Sequence, residues 1–111
     1  MSLSQCTPTQ FEVEFDEEAE RQLAAQAKAI AHPVRIRLLK LLAAQKGCIG
    51  NDLVEGVGLA QSTVSEHMSI LRKAGFVIAE SKPPRICYEL NRDAFAQFQK
   101  SVLALSATTV E

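Results

Sequence analysis

Four breaks set the limits of this chain: Pro33, Gly47, the glycines of "GVGLA" at 56–60, and Gly75. Proline lacks the N–H that a helix interior needs but suits a first helical turn, and glycine readily takes the left-handed conformation that ends helices. Each piece between these breaks is short and apolar on one side. The chain must therefore fold as short helices joined by tight turns. At 111 residues it has the size of one domain. Its residues are 47% hydrophobic but only 5% aromatic, so the core must be mainly Leu, Ile, Val and Ala. A core this small is often completed by a partner subunit.

The first helix is expected over 16–31, "DEEAERQLAAQAKAIA", with Asp16 as N-cap and acids in the first turn, where the helix dipole favours them. Ala19, Leu23, Ala27 and Ile30 share one face. Pro33 opens "PVRIRLLKLLAAQ" at 33–45, whose stripe of Val34, Leu38, Leu41 and Leu42, with Ile36 and Leu39 close by, marks the central helix. "CI" at 48–49 is long enough only for a one-bond strand, and Asn51 caps the short helix "DLVEGV". A second helix follows the glycine turn at 61–74. Two short helices joined by such a turn form a helix-turn-helix. "FVIAES", "KPPR" and "ICYEL" then read as strand, turn and returning strand, a hairpin with basic residues at its tip. Asn91 caps the last helix, "RDAFAQFQKSVLALS", where Phe95, Phe98, Val102 and Leu105 form an apolar seam. "FEVEF" at 11–15 alternates apolar and acidic residues and reads as a short strand or as the lead-in to the first helix. Residues 1–15 are expected to be a flexible arm, 16–106 the folded domain and 107–111 a tail. The fold class is mainly α with a small β-hairpin, a winged helix-turn-helix.

The net charge of −1 does not announce a nucleic-acid binder, but it is unevenly spread. Residues 1–31 carry six acids and two bases, and residues 32–111 carry ten bases and seven acids. A mildly basic body behind an acidic leader is compatible with a polyanionic partner. Three widely spaced cysteines without a CxxC, no basic-then-apolar start and no apolar run of membrane-spanning length point to a cytoplasmic protein with free thiols. No base–nucleophile pair, phosphate-binding glycine loop or metal-type spacing supports an enzyme.

In the helix 61–74, Val64, Met68 and Leu71 form the stripe expected to be buried. Gln61, Ser62, Ser65, Glu66 and Ser69 lie opposite, with Thr63 at the flank. Short hydroxyl and amide side chains approach base edges closely. Gln pairs with adenine, Ser and Thr donate or accept, and the Glu66 carboxylate accepts from a cytosine amino group. Arg72 and Lys73 end the helix and Lys82 and Arg85 flank the hairpin tip, so positive charge sits on the rim, where phosphates would run. The plain alternative for this face is a solvated polar helix surface, and the rival function is a protein-interaction module on the same fold, with the apolar seam of 95–105 as its partner surface and no DNA role. His67, beside the buried stripe, and His32, before Pro33, read as structural residues.

"AHPVRIRLLKLL" at 31–42, "LAQSTVSEHMSILRKAGFV" at 59–77 and "ICYEL" at 86–90 together resemble the ArsR/SmtB family of small bacterial repressors. The resemblance implies a homodimeric DNA-binding transcriptional regulator, a repressor released by an inducer, on a roughly palindromic double-stranded operator. Dimerisation through the first and last helices would use Leu23, Ala27, Ile30, Phe95, Phe98, Val102 and Leu105. Ala60 departs from the family, which has Ser at this N-cap. The family's sensing sites do not carry over. "GCIGND" lacks the Cys-x-Cys of the thiophilic-metal sensors, no His follows position 67, and neither the second nor the last helix has a Cys. In a winged helix the short strand at 48–49 pairs with the second wing strand, which would bring Cys48 to Cys87, with Cys6 able to reach them from the arm. Such a set would form a disulfide or hold a thiophilic metal or metalloid. The other reading makes Cys48 and Cys87 small buried apolar residues.

Overall fold

The computed structural model describes residues 13–46, 50, 56–83 and 85–107. Its elements run α1 (Glu17–Ile30), α2 (Pro33–Ala43), α3 (Gln61–Lys73), β1 (Val77–Lys82), β2 (Arg85–Leu90) and α4 (Arg92–Ala104). The expected cap at Asn51 and strand at 48–49 lie outside the described residues, as does most of the short helix at 52–57. Gly56 and Val57 are helical, and Gly58 turns the chain with φ +67°.

The helix ends follow local chemistry. Asp16 accepts a hydrogen bond from Ala19 N–H and Asn91 one from Ala94 N–H, each three residues on, as N-caps do. His32 caps α2 by accepting from Val34 N–H through Nδ1, with Pro33 at the first helical position. Ala60 offers α3 no side-chain cap bond. At the other end of α3, Gly75 sits at φ +89°, its N–H donating to Arg72 O while Phe76 N–H donates to Leu71 O. That bond pair satisfies the last carbonyls and turns the chain sharply into β1.

The strands pair antiparallel from Val77↔Leu90 to Lys82↔Arg85, leaving a two-residue connection at the tip. Opposite residues share a face, so Val77, Ala79, Ile86, Tyr88 and Leu90 face one way and Ile78, Glu80, Cys87 and Glu89 the other. The expected hairpin is present, but Val13, Glu14 and Phe15 form no strand.

The core joins Ala29 of α1, Leu38, Leu39 and Leu42 of α2, Val57 before the turn, Val64, Met68 and Leu71 of α3, and Phe76, Val77 and Phe98. Phe76 lies 5.2 Å, centroid to centroid, from both Phe95 and Phe98. These tilted and edge-on contacts clamp α4 onto the α3–β1 corner. The stripe foreseen on α3 is buried throughout. On α1 the inward residues are Ala29, with Leu23 and Ile30 partly covered, while Ala19 and Ala27 are exposed. The seam of α4 divides: Phe98 is buried and Phe95 packs on the core, but Val102 and Leu105 are exposed. The carbonyls at the end of α2 find a distant partner: Arg92 Nη2 donates to Ala43 O and Gln45 O, each at 3.1 Å.

Candidate nucleic-acid interface

Because Val64, Met68 and Leu71 point inward, α3 presents Gln61, Ser62, Ser65 and Glu66 fully outward, with Thr63 and Ser69 half-buried at the edges. Arg72 and Lys73 are exposed at its last turn, and no carboxylate pairs with either among the described residues. The hairpin packs beside this face. Ser65, Met68, Ser69 and Arg72 of α3 and Ala79, Ile86 and Tyr88 of the hairpin line a cleft of about 140 Å³. One polar surface thus runs from the start of α3 to the hairpin. Lys82, near its tip, lies 3.9 Å from Glu80, a solvent-exposed pair worth little energetically. Arg85 takes its place in β2, and its side chain lies outside the described residues.

Tyr88 and Ile86 join this surface although the sequence did not single them out. The alternation of "ICYEL" put them on one strand face, but only packing decided that this face turns toward α3.

Behind the surface lies a cationic and imidazole cluster. The Arg35 guanidinium donates through Nε to Ala29 O, and its Nη1 is 3.3 Å from His67 Nδ1. The His67 ring meets His32 at a centroid distance of 4.5 Å. One arginine of α2 therefore ties the end of α1 to the middle of α3. Burial holds the His67 pKa below the ordinary histidine value, helped by His32 and Arg35 and opposed by Glu66. The folded chain thus binds fewer protons here than the unfolded chain. The stability supported by neutral His67 is present above the unfolded value of about 6.5 and lost as pH falls through the lower folded value. Urea midpoints are expected to fall from pH 7 to pH 5. His67→Gln, which keeps an acceptor for Arg35 but cannot titrate, should flatten that fall, and an unchanged slope would refute the assignment.

Cys87, half-buried on the hairpin face turned away from Ile86 and Tyr88, is disulfide-bonded, which corrects the expectation of free thiols at this position. Cys6 and Cys48 lie outside the described residues. Among the described residues no three His, Cys, Asp or Glu side chains converge in a way that could hold a metal ion. No helix among them is long and apolar enough to cross a membrane.

Comparison with known proteins agrees with this geometry. Residues 32–79 match the family model described as bacterial regulatory protein, arsR family. An uncharacterised HTH-type transcriptional regulator of Mycobacterium tuberculosis is 38% identical over 63 residues, covering 57% of this chain and 55% of its own. The match thus spans only about half the length of that relative. The Escherichia coli HTH-type transcriptional regulator YgaV is 32% identical over 73 residues, covering 66% of this chain and 74% of its own. The crystal structure of the transcriptional repressor BigR from Xylella fastidiosa superposes with a TM-score of 0.62 at 26% identity, over 84% of this chain and 94% of that one.

The fold is that of winged helix-turn-helix regulators, and the proteins it matches are transcriptional regulators rather than enzymes. The chain belongs to the bacterial arsR family of regulatory proteins.

Proposed function

We propose that this chain is a homodimeric, sequence-specific DNA-binding repressor that an inducer releases from a roughly palindromic operator. The observation that carries this reading is the outward polar face of α3, with exposed Arg72 and Lys73 at one end, unpaired among the described residues, and the hairpin alongside. In it Gln61, Ser62, Thr63, Ser65, Glu66 and Ser69 read base edges, while Arg72, Lys73, Lys82 and Arg85 hold phosphates. Glu66 favours a cytosine at one operator position and repels the backbone elsewhere.

Gln61→Ala and Ser65→Ala are each expected to weaken specific binding by about 1–3 kcal/mol and relax preference at one base pair. Lys82→Ala and Arg85→Ala should weaken binding to all sequences about equally and reduce the salt slope by about one per lost phosphate contact. Gel-shift titrations at several salt concentrations measure both effects. Unchanged operator affinity in all four variants would sink the assignment.

A thiol-reactive inducer (arsenite, a soft metal or an oxidant) acting at Cys48, Cys87 and Cys6 is the finer reading. The disulfide at Cys87 supports the redox form of this reading, and the test starts from protein whose cysteines have first been reduced, because arsenite, soft metals and diamide all act on thiols. Arsenite or diamide should release operator DNA from the wild type and not from a variant with all three cysteines changed to serine. Release that survives loss of every thiol eliminates this inducer class.

A further inference from the structure

On the side of α3 away from the hairpin, a groove of about 380 Å³ opens between α1, α2 and α3. Its floor is apolar and small: Ala25 and Ala29 of α1, with Ile70 and Ala74 at the end of α3. Its remaining lining residues are all cations, Lys28, Arg35 and Lys73. Among the described residues no carboxylate lines it and none of the three cations is ion-paired. The Arg35 guanidinium is fixed at the wall by its bonds to Ala29 O and His67, so one charge is held in place.

The groove exposes apolar surface, including Ile70 at 37% exposure, and is lined by three like charges, Lys28, Arg35 and Lys73. Both features are satisfied together by a ligand with one apolar end and one negative end. The volume falls at the lower end of the range for small-molecule sites.

We propose that this groove binds an organic carboxylate with an apolar body, the body on Ala25, Ala29, Ile70 and Ala74 and the carboxylate between Lys28, Arg35 and Lys73. The regulatory consequence rests on the DNA-binding reading above. Lys73 cannot serve a ligand carboxylate and a DNA phosphate at once, so ligand and operator compete through it. By linkage, operator must weaken ligand binding by the same factor as ligand weakens operator binding.

The test uses decanoate as probe, below its micelle concentration, titrated calorimetrically into the free full-length protein. Saturable binding at one decanoate per chain is expected. Acetate, which has the charge without the body, and decanol, which has the body without the charge, should bind at least about tenfold more weakly. Lys28→Gln, which removes a lining charge, and Ala25→Leu, which fills the exposed floor, should each weaken decanoate about tenfold while leaving operator affinity unchanged.

Absence of saturable decanoate binding to the folded protein overturns the proposal. So does binding that is indifferent to both substitutions. If Ala25→Leu instead dissociates the protein into monomers and decanoate does not bind, a second copy covers the groove and the proposal falls. Decanoate binding that survives while operator binding fails in every assay counts against the DNA reading, not against the groove.

Discussion

Phe76→Ala is expected to destabilise the fold by about 3–5 kcal/mol, the loss typical of a fully buried phenylalanine. Phe76 has no exposed surface and touches two further rings, Phe95 and Phe98. Its backbone is also the corner of the fold. Its N–H closes the end of α3 on Leu71 O, and its carbonyl accepts from Asn91 N–H at 2.8 Å, just before α4. A cavity there would weaken the packing of α4 on the α3–β1 corner. The expected fall in Tm is more than about 10 °C for a domain of this size. Urea unfolding followed by circular dichroism gives the number, and a loss below about 1 kcal/mol would show that Phe95 and Phe98 hold α4 without it.

The second large effect concerns assembly. Val102 and Leu105 lie one and two turns beyond the ring cluster on the same seam, yet they are 43% and 72% exposed. An apolar seam that leaves its own core and runs on into solvent is the expected surface for a second copy, with exposed Ala27 of α1 and the partly covered Leu23, Ile30 and Phe95 beside it. Val102→Glu with Leu105→Glu is therefore expected to give a monomer by sedimentation. Neither side chain is in the core, so the monomer should remain folded. On the proposed dimeric reading a monomer would hold one half-site instead of two and lose about half of the specific binding energy, on the order of 2–5 kcal/mol. Operator affinity should then fall by at least about thirtyfold. A double variant that still sediments as a dimer would move the interface elsewhere.

Much of this architecture is written locally. Asp16 and Asn91 cap their helices through side chains three residues from their partners, and Gly75 takes the positive φ that ends α3. The stripe Val64, Met68 and Leu71 follows from helical period alone, and its polar complement marks Gln61, Ser62, Ser65 and Glu66 as outward, though Ser69 is half-buried beside the hairpin. The hairpin follows from two β-prone runs around a proline-rich turn. Each of these signals acts within a few residues, where backbone geometry fixes which groups can meet.

The rest needed the third dimension. Arg92 reaches carbonyls 47 and 49 residues away, and Arg35 reaches His67 over 32. Long arginine side chains leave no sequence trace of the acceptor they will find. The apolar seam of α4 announced that it would be covered, but not that Phe98 belongs to its own core while Leu105 faces solvent. Periodicity marks the face of a helix and says nothing of what lies opposite. The cleft that adds Tyr88 to the polar surface, and the groove that gathers Lys28, Arg35 and Lys73, likewise exist only because distant elements pack together. The sequence by itself determined the elements and the reading face of α3. The tertiary structure decided which charges and apolar patches became neighbours, since proximity between distant residues is a property of packing and not of spacing along the chain.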